Sequence, residues 1–301
     1  MKLLFLFGLA AFAVIWATFG FSFGSIGPNG PSVPAPDYWS SLGKVANRVE
    51  SGTPAFMLGH ISPTGFVGYY PFAFLIKTPL PTLIFLLMGL ISLIVRRDRK
   101  SIALWLPPLL FLITAMSSNL SLGYRLILPM LPFVLGIAGQ GASALWMSIG
   151  TLKRKGAMAS PFVSVCLGAF VVLPVWLVVD ALSIGPNHLA YFNQLAGDHN
   201  HDYNLLVDSN LDWGQDLIAL REWMTANRLD RLNLAYFGTA RPSAYGIQAN
   251  LLPSFTLNDF GAEVDGFSAN ALPPGWYAIS ATSLQLGLVY SHWNEYAPFR
   301  A

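Results

Sequence analysis

Charge is what this chain has least of: Asp, Glu, Lys and Arg supply 11% of its 301 residues, where a soluble domain carries about 25%. With 54% hydrophobic residues and a mean hydropathy of +0.51, that scarcity points to a membrane protein. Cysteine is nearly missing too. The single Cys166 lies in an apolar run, so no intramolecular disulfide can form and pairing says nothing of the redox compartment. Lysine is missing from the C-terminal region. Residues 1–182 hold 12 Lys and Arg against 4 acids, whereas 183–301 hold 5 Arg, no Lys and 11 acids. A basic membrane part and an acidic, water-exposed tail follow. No basic patch with interleaved aromatics occurs, which argues against nucleic-acid binding. Gly-x-x-x-x-Gly-Lys and Gly-x-Ser-x-Gly are also absent, removing the phosphate-cradling loop and the nucleophile elbow.

What the chain has in quantity is long uncharged sequence. Runs at about 3–23, 77–95, 101–116, 126–147 and 161–182 predict five membrane spans. The first exceeds the roughly 7–15-residue core of a signal peptide and is expected to remain as a span. The second opens at Lys77 and stays uncharged for 18 residues, Thr78 to Val95. Pro79 and Pro81 fall in its first turn, where no intrahelical N–H partner is lost. Pro107 and Pro108 predict a kink or break in the third span. Between the first two spans an external loop, 24–76, holds an amphipathic stretch, Tyr38–Val49, expected as a short interfacial helix. The basic clusters Arg96–Lys100 and Lys153–Lys155 share one side with Lys2 when five spans are threaded, and the positive-inside rule makes that side cytoplasmic. The loop, the 117–125 hairpin and the tail are then outside.

In the tail, Asn204–Asp208 reads as a buried strand. Asp212 is placed to cap a helix over 213–226, with Gln215 completing a capping-box pattern. Trp213, Leu217, Leu220 and Met224 recur on one face of that helix. Leu232–Phe237 and Trp276–Thr282 are further strands. The expected fold is a membrane all-α bundle of about five transmembrane helices over 1–182, followed by a small extracytoplasmic α/β domain over 183–301. Asp198-His-Asn-His-Asp202 has metal-ligand residue types without a matching set elsewhere and reads as a solvated loop, so no metal is expected. Asp208–Asp212 opens like a calcium loop. Trp213 at the required glycine and Ala219 at the required glutamate exclude one.

Threading this topology brings His60, Lys77, Tyr124 and Arg125 together at the outer membrane surface. Cations between spans hold phosphorylated lipid headgroups, Arg through two parallel donors and Lys as a point charge. The competing reading is that both cations snorkel or satisfy carbonyls at helix ends.

Several stretches carry a resemblance: Tyr70-Pro-Phe-Ala-Phe-Leu-Ile-Lys-Thr-Pro-Leu-Pro81, Asn119-Leu-Ser-Leu-Gly-Tyr-Arg-Leu-Ile-Leu-Pro129, His188-Leu-Ala-Tyr-Phe-Asn193, Val207-Asp-Ser-Asn-Leu-Asp-Trp-Gly-Gln-Asp-Leu217 and Leu234-Ala-Tyr-Phe-Gly-Thr239. Together they resemble the C-terminal half of bacterial protein O-mannosyltransferase-like enzymes, the lipid-carrier-dependent GT-C glycosyltransferases. The resemblance implies a bacterial cytoplasmic-membrane protein that takes a sugar from a polyprenyl-phosphate donor on the outer side, with no nucleotide and no cofactor. It places Lys77 and Arg125 on the carrier-binding face, with Tyr124 and His60 as secondary donors. In that family the catalytic acid lies in the first external loop of a longer bundle. Asp37 and Glu50 align with a later loop and do not inherit the role. The expectation is therefore a truncated or split enzyme whose catalytic residues are unknown, completed by a separate chain supplying the N-terminal half. The alternative is a non-catalytic membrane protein whose outer domain binds a partner.

Overall fold

Long uncharged runs satisfy their backbone internally by coiling into helices, and most of these runs do so. The computed structural model describes residues 2–27, 30–96, 101–154, 161–254, 274–287 and 295–300. Two compact units result, Met1–Thr53 and Pro54–Ala301.

The first unit holds α1 (Lys2–Thr18), the antiparallel pair β1 (Phe23–Ser25) and β2 (Ser32–Pro34), and α2 (Pro36–Ser51). The amphipathic stretch is thus a helix slightly longer than expected. Pro36 starts it, and Asp37 in the first turn and Arg48 in the last complement its dipole. Its Trp39, Leu42 and Val45 are all exposed. α1 stops at Thr18, short of the expected 3–23, because the backbone turns at Gly20 and Phe21, both at positive φ.

In the second unit, β3 (Ala55–Met57) and β4 (His60–Ser62) form a hairpin. Its two turn residues, Leu58 and Gly59, have φ of 53° and 79°, the sense that matches strand twist. Then follow α3 (Tyr69–Lys77), α4 (Leu80–Arg96), α5 (Ile102–Met116), a 3-10 segment Tyr124–Met130 leading directly into α6 (Leu131–Arg154), and α7 (Pro161–Ser183).

Tyr124–Leu152 and Pro161–Ser183 are long and apolar enough to cross a membrane; α3 and α4 make a third span if the bent pair is counted as one. α1 and α5 are shorter apolar helices, so the five expected spans reduce to two or three by length. The second expected span does not begin as one rod at Lys77. Thr78, before Pro79, is forced into extended backbone (ψ 130°), and the helix axis turns by 114°. By contrast α5 runs on through Pro107 and Pro108, where a kink or break was expected, as one helix without a break. Tyr124 and Arg125 lie on the first 3-10 turn rather than in a hairpin. Most of the two basic clusters, residues 97–100 and 155, falls outside the described residues.

The tail is α/β. Its sheet is parallel, in the order β6-β5-β7, from β5 (Arg231–Ala235), β6 (Gln248–Leu251) and β7 (Tyr277–Ile279). α8 (Leu217–Ala226) lays Leu217, Leu220 and Met224 against Leu232, Leu234 and Ile247. α9 (Ala281–Leu286) follows β7 and is capped by the Ser280 hydroxyl. Residues 204–208 are not a sheet strand. They follow a 3-10 turn, His199–Asn204, and meet the β3–β4 hairpin through one bridge, Leu206 to Met57. The segment 188–211 thereby folds back on α3 and the 3-10 segment, where Phe192, Leu206 and Leu211 join Tyr69, Tyr70 and Ile127 in one core.

Candidate functional site

The bend between α3 and α4 leaves helix-end carbonyls without intrahelical partners; Asn193 answers them, and a second asparagine, Asn210, ties the start of α3 to the 3-10 segment. Asn193 Nδ2 donates to the carbonyls of Leu75 and Thr78, both at 2.7 Å, and the Asn193 amide donates to Ile76. Asn210 Nδ2 donates to the Tyr69 hydroxyl at 2.7 Å and to the Val207 carbonyl at 3.0 Å, while its Oδ1 accepts from the Tyr124 amide at 2.9 Å. Both side chains are fully buried. Asp180, buried near the end of α7, accepts from the Tyr191 hydroxyl at 3.1 Å and from Gln194 Nε2 at 3.0 Å. The 188–211 segment is therefore tied to α3, α7 and the 3-10 segment by side-chain amides and hydroxyls.

Lys77 belongs to the same knot. Its Nζ donates to the carbonyls of Leu189 (3.0 Å), Tyr191 (2.9 Å) and Asn210 (2.5 Å), with the Phe192 ring centroid 4.1 Å away. All three ammonium hydrogens are spent on carbonyls. In this conformation a phosphate would meet Lys77 as a charge and not as a donor.

Arg125 is different. It is exposed, its guanidinium lies 5.0 Å from the Trp213 ring centroid, and it has no hydrogen bond or ion pair among the described residues. Tyr124 turns its hydroxyl inward to Thr78 Oγ1 at 2.9 Å. His60 is exposed on β4, and its imidazole makes no hydrogen bond or ion pair among the described residues. Of the four expected residues, the structure joins Lys77 and Tyr124 through Asn210 and leaves Arg125 open beside them.

An apolar groove of about 610 Å³ runs along α4, α5 and α6. Its lining extends from Phe74 and Met130, the latter on the same 3-10 segment as Arg125, to Ile94 and Ile102. Nothing in the sequence pattern isolates this groove, since lipid-facing and groove-facing residues are equally apolar. Asn193 and Asn210 do not stand out in the sequence either. The signal available for both was an amide side chain set among aromatic and aliphatic neighbours.

The 198–202 loop pairs within itself: His199 with Asp202 at 3.0 Å and His201 with Asp198 at 3.1 Å. Among the described residues no group of three or more His, Cys, Asp or Glu could hold a metal ion. Asp212 does not cap a helix. Its Oδ1 accepts from the Gly214 amide at 2.6 Å, Gly214 takes φ 98°, and α8 starts only at Leu217, with Trp213 left 41% exposed.

Burial is the main cause that pushes the Asp212 carboxyl up to about 6; the charge of Asp216 adds to it, against the Gly214 and Trp213 amides. The folded chain holds this proton more tightly than the unfolded one, whose value is about 3.9. The associated stability is fully present below that value and is lost as pH rises through about 6. Asp212→Asn keeps an acceptor for the Gly214 amide. It is expected to raise the stability at pH 8 by about 1–2 kcal/mol and to leave it unchanged at pH 4. Thermal unfolding at the two pH values checks this, and an equal shift at both would contradict it.

Comparison with family models, curated proteins and solved structures finds no match for this chain.

Proposed function

We infer that the chain is a glycosyltransferase-related integral membrane protein of the GT-C type. It transfers, or helps to transfer, a sugar from a polyprenyl-phosphate donor on the outer side of a bacterial cytoplasmic membrane. The observation that carries this reading is Arg125: an exposed guanidinium, without a hydrogen bond or ion pair among the described residues, held over Trp213 at the start of a membrane-length helix. The apolar groove beginning near Met130 offers a path for a long isoprenoid chain below a phosphate at Arg125. Multi-pass placement, with the N-terminus cytoplasmic and residues 183–301 outside, rests on the basic clusters. A general base must reach the acceptor hydroxyl; none of Lys77, Tyr124, Arg125 and His60 is a carboxylate, so these four serve the lipid-phosphate side of the site and the reading assigns the catalytic role to none of them.

The test is polyprenyl-phosphate binding by the purified protein in detergent. Arg125→Ala is expected to weaken binding by about 1.5–3 kcal/mol, roughly tenfold to a hundredfold. Arg125→Lys is expected to restore only part of it, because a point charge lacks the two-pronged contact. Arg154→Ala, at the far end of α6, is the control. Equal losses for Arg125→Ala and the control would reject the site.

A further inference from the structure

The helix α2 sorts its side chains cleanly by type. At about 100° per residue, Tyr38, Trp39, Leu42, Val45, Ala46 and Val49 share one arc of about 120°, and every charged residue lies outside it. None of these six is buried, and Leu42 and Val45 are 50% and 57% exposed. A helix surrounded by water would bury such a stripe.

What covers the stripe follows from what it joins. α1 is apolar on every side, and its Phe5, Phe7, Leu9, Phe12 and Val14 are all exposed, which suits lipid and not water. The chain leaves α1 through a fixed elbow. The Ser22 carbonyl accepts from Trp16 Nε1 at 2.8 Å and from the Ala35 amide at 3.0 Å, so the end of α1 is held to the start of α2. Trp39 Nε1 donates to the Pro34 carbonyl at 3.0 Å. Phe19 and Tyr38 meet edge to face, with ring centroids 6.0 Å apart. Aromatic rings thus gather at the joint with both indole N–H groups satisfied by backbone, as suits the boundary between membrane and water. The apolar surface of α1 continues through these rings onto α2.

Charge does not hold α2 there. Asp37 and Glu50 balance Lys44 and Arg48, and Ser40, Ser41, Asn47 and Ser51 fill most of the remaining polar side. Anionic headgroups attract helices through an excess of Lys and Arg, and α2 has no excess. The driving force left is insertion of Trp39, Leu42 and Val45 among acyl chains, which requires gaps between headgroups.

We propose that α2 is a lipid-docking helix that lies in the headgroup plane and responds to lipid packing. It inserts where lipids are loosely packed and withdraws where they are tight, whatever their charge. The proposal rests on a lipid setting for α1 and is independent of the glycosyltransferase reading and of Arg125.

The experiment puts an environment-sensitive fluorophore on Leu42→Cys, Val45→Cys and Asn47→Cys variants of the full chain, reconstituted in vesicles. Cys166 is buried, and wild type labelled in parallel supplies the background. In dioleoyl phosphatidylcholine, the labels at 42 and 45 are expected to emit at shorter wavelength than the label at 47. Lipids brominated on the acyl chain should quench those two and spare the third. Adding phosphatidylglycerol is expected to change neither signal, and saturated chains with cholesterol to remove both. Equal signals at the three positions would overturn the proposal, as would dependence on phosphatidylglycerol or indifference to packing. A blue shift without quenching by brominated lipid would overturn it too, because a protein surface, from this chain or a second copy, would then cover the face.

Discussion

Gly89→Val is expected to drive α4 off α6 and to remove most of the folded protein recovered in detergent. A Cβ at Gly89 would overlap the Ile137 carbonyl oxygen, and a Cβ at Gly141 would overlap the Phe85 carbonyl oxygen. Each glycine therefore admits the other helix's backbone, so the clash falls on rigid main chain rather than on a side chain that could swing away. Small residues at a membrane helix interface act in this way, because close packing drives association where hydrophobic force between helices is weak. Overpacking of this kind costs about 1–3 kcal/mol, and more where the obstacle is backbone. Gly141→Ala is expected to do less harm than Gly89→Val, and Gly139→Ala to do none, since nothing lies within 4 Å of a Cβ there. Thermal unfolding and the monodisperse fraction on size exclusion report the order. Gly139→Ala as damaging as Gly89→Val would show that the crossing does not decide the outcome, since Ala is the better helix former.

Asn210→Ala is the second substitution with a large expected effect, a loss of about 3 kcal/mol or more. It removes three hydrogen bonds in a site with no exposure. Each is worth about 1 kcal/mol, and the Tyr69 hydroxyl, the Val207 carbonyl and the Tyr124 amide would be left buried without partners. Asn193→Ala should cost a similar amount by orphaning the carbonyls of Leu75 and Thr78 at the bend. The two amides serve the same fold-back of the 188–211 segment, so the double variant should lose less than the sum. Full additivity in unfolding experiments would mean that the asparagines act on separate units.

Sequence reading works where one physical term dominates and is local. Apolar content alone makes α4 to α7 helical, and the spacing of Leu217, Leu220 and Met224 marks the face that α8 buries. The length of a span is less legible. α1 ends at Thr18 because the backbone turns at Gly20 and Phe21, and no change in hydrophobicity marks that point. Asp212 shows a second limit. An aspartate followed two residues on by a free amide serves equally well as a helix cap or as an isolated Asx turn, and the choice went to the turn because Gly214 carries the chain away from helix. Lys77 shows a third. A lysine beside an apolar run carries no record of whether its hydrogens meet lipid phosphate or carbonyls from the 189–210 segment. That information sits in the partner, more than a hundred residues away.

The same distance sets an order of events during synthesis. Asn210 meets Tyr124 and Tyr69 across 86 and 141 residues. When α3 and the 3-10 segment first leave the ribosome, the Tyr69 hydroxyl, the Tyr124 amide, the Leu75 carbonyl and the Lys77 ammonium have no final partners. Those partners arrive only once translation has passed Asn210. The helices can enter the bilayer early, but the bend between α3 and α4 takes its final form late, as one of the last joints of biogenesis to close.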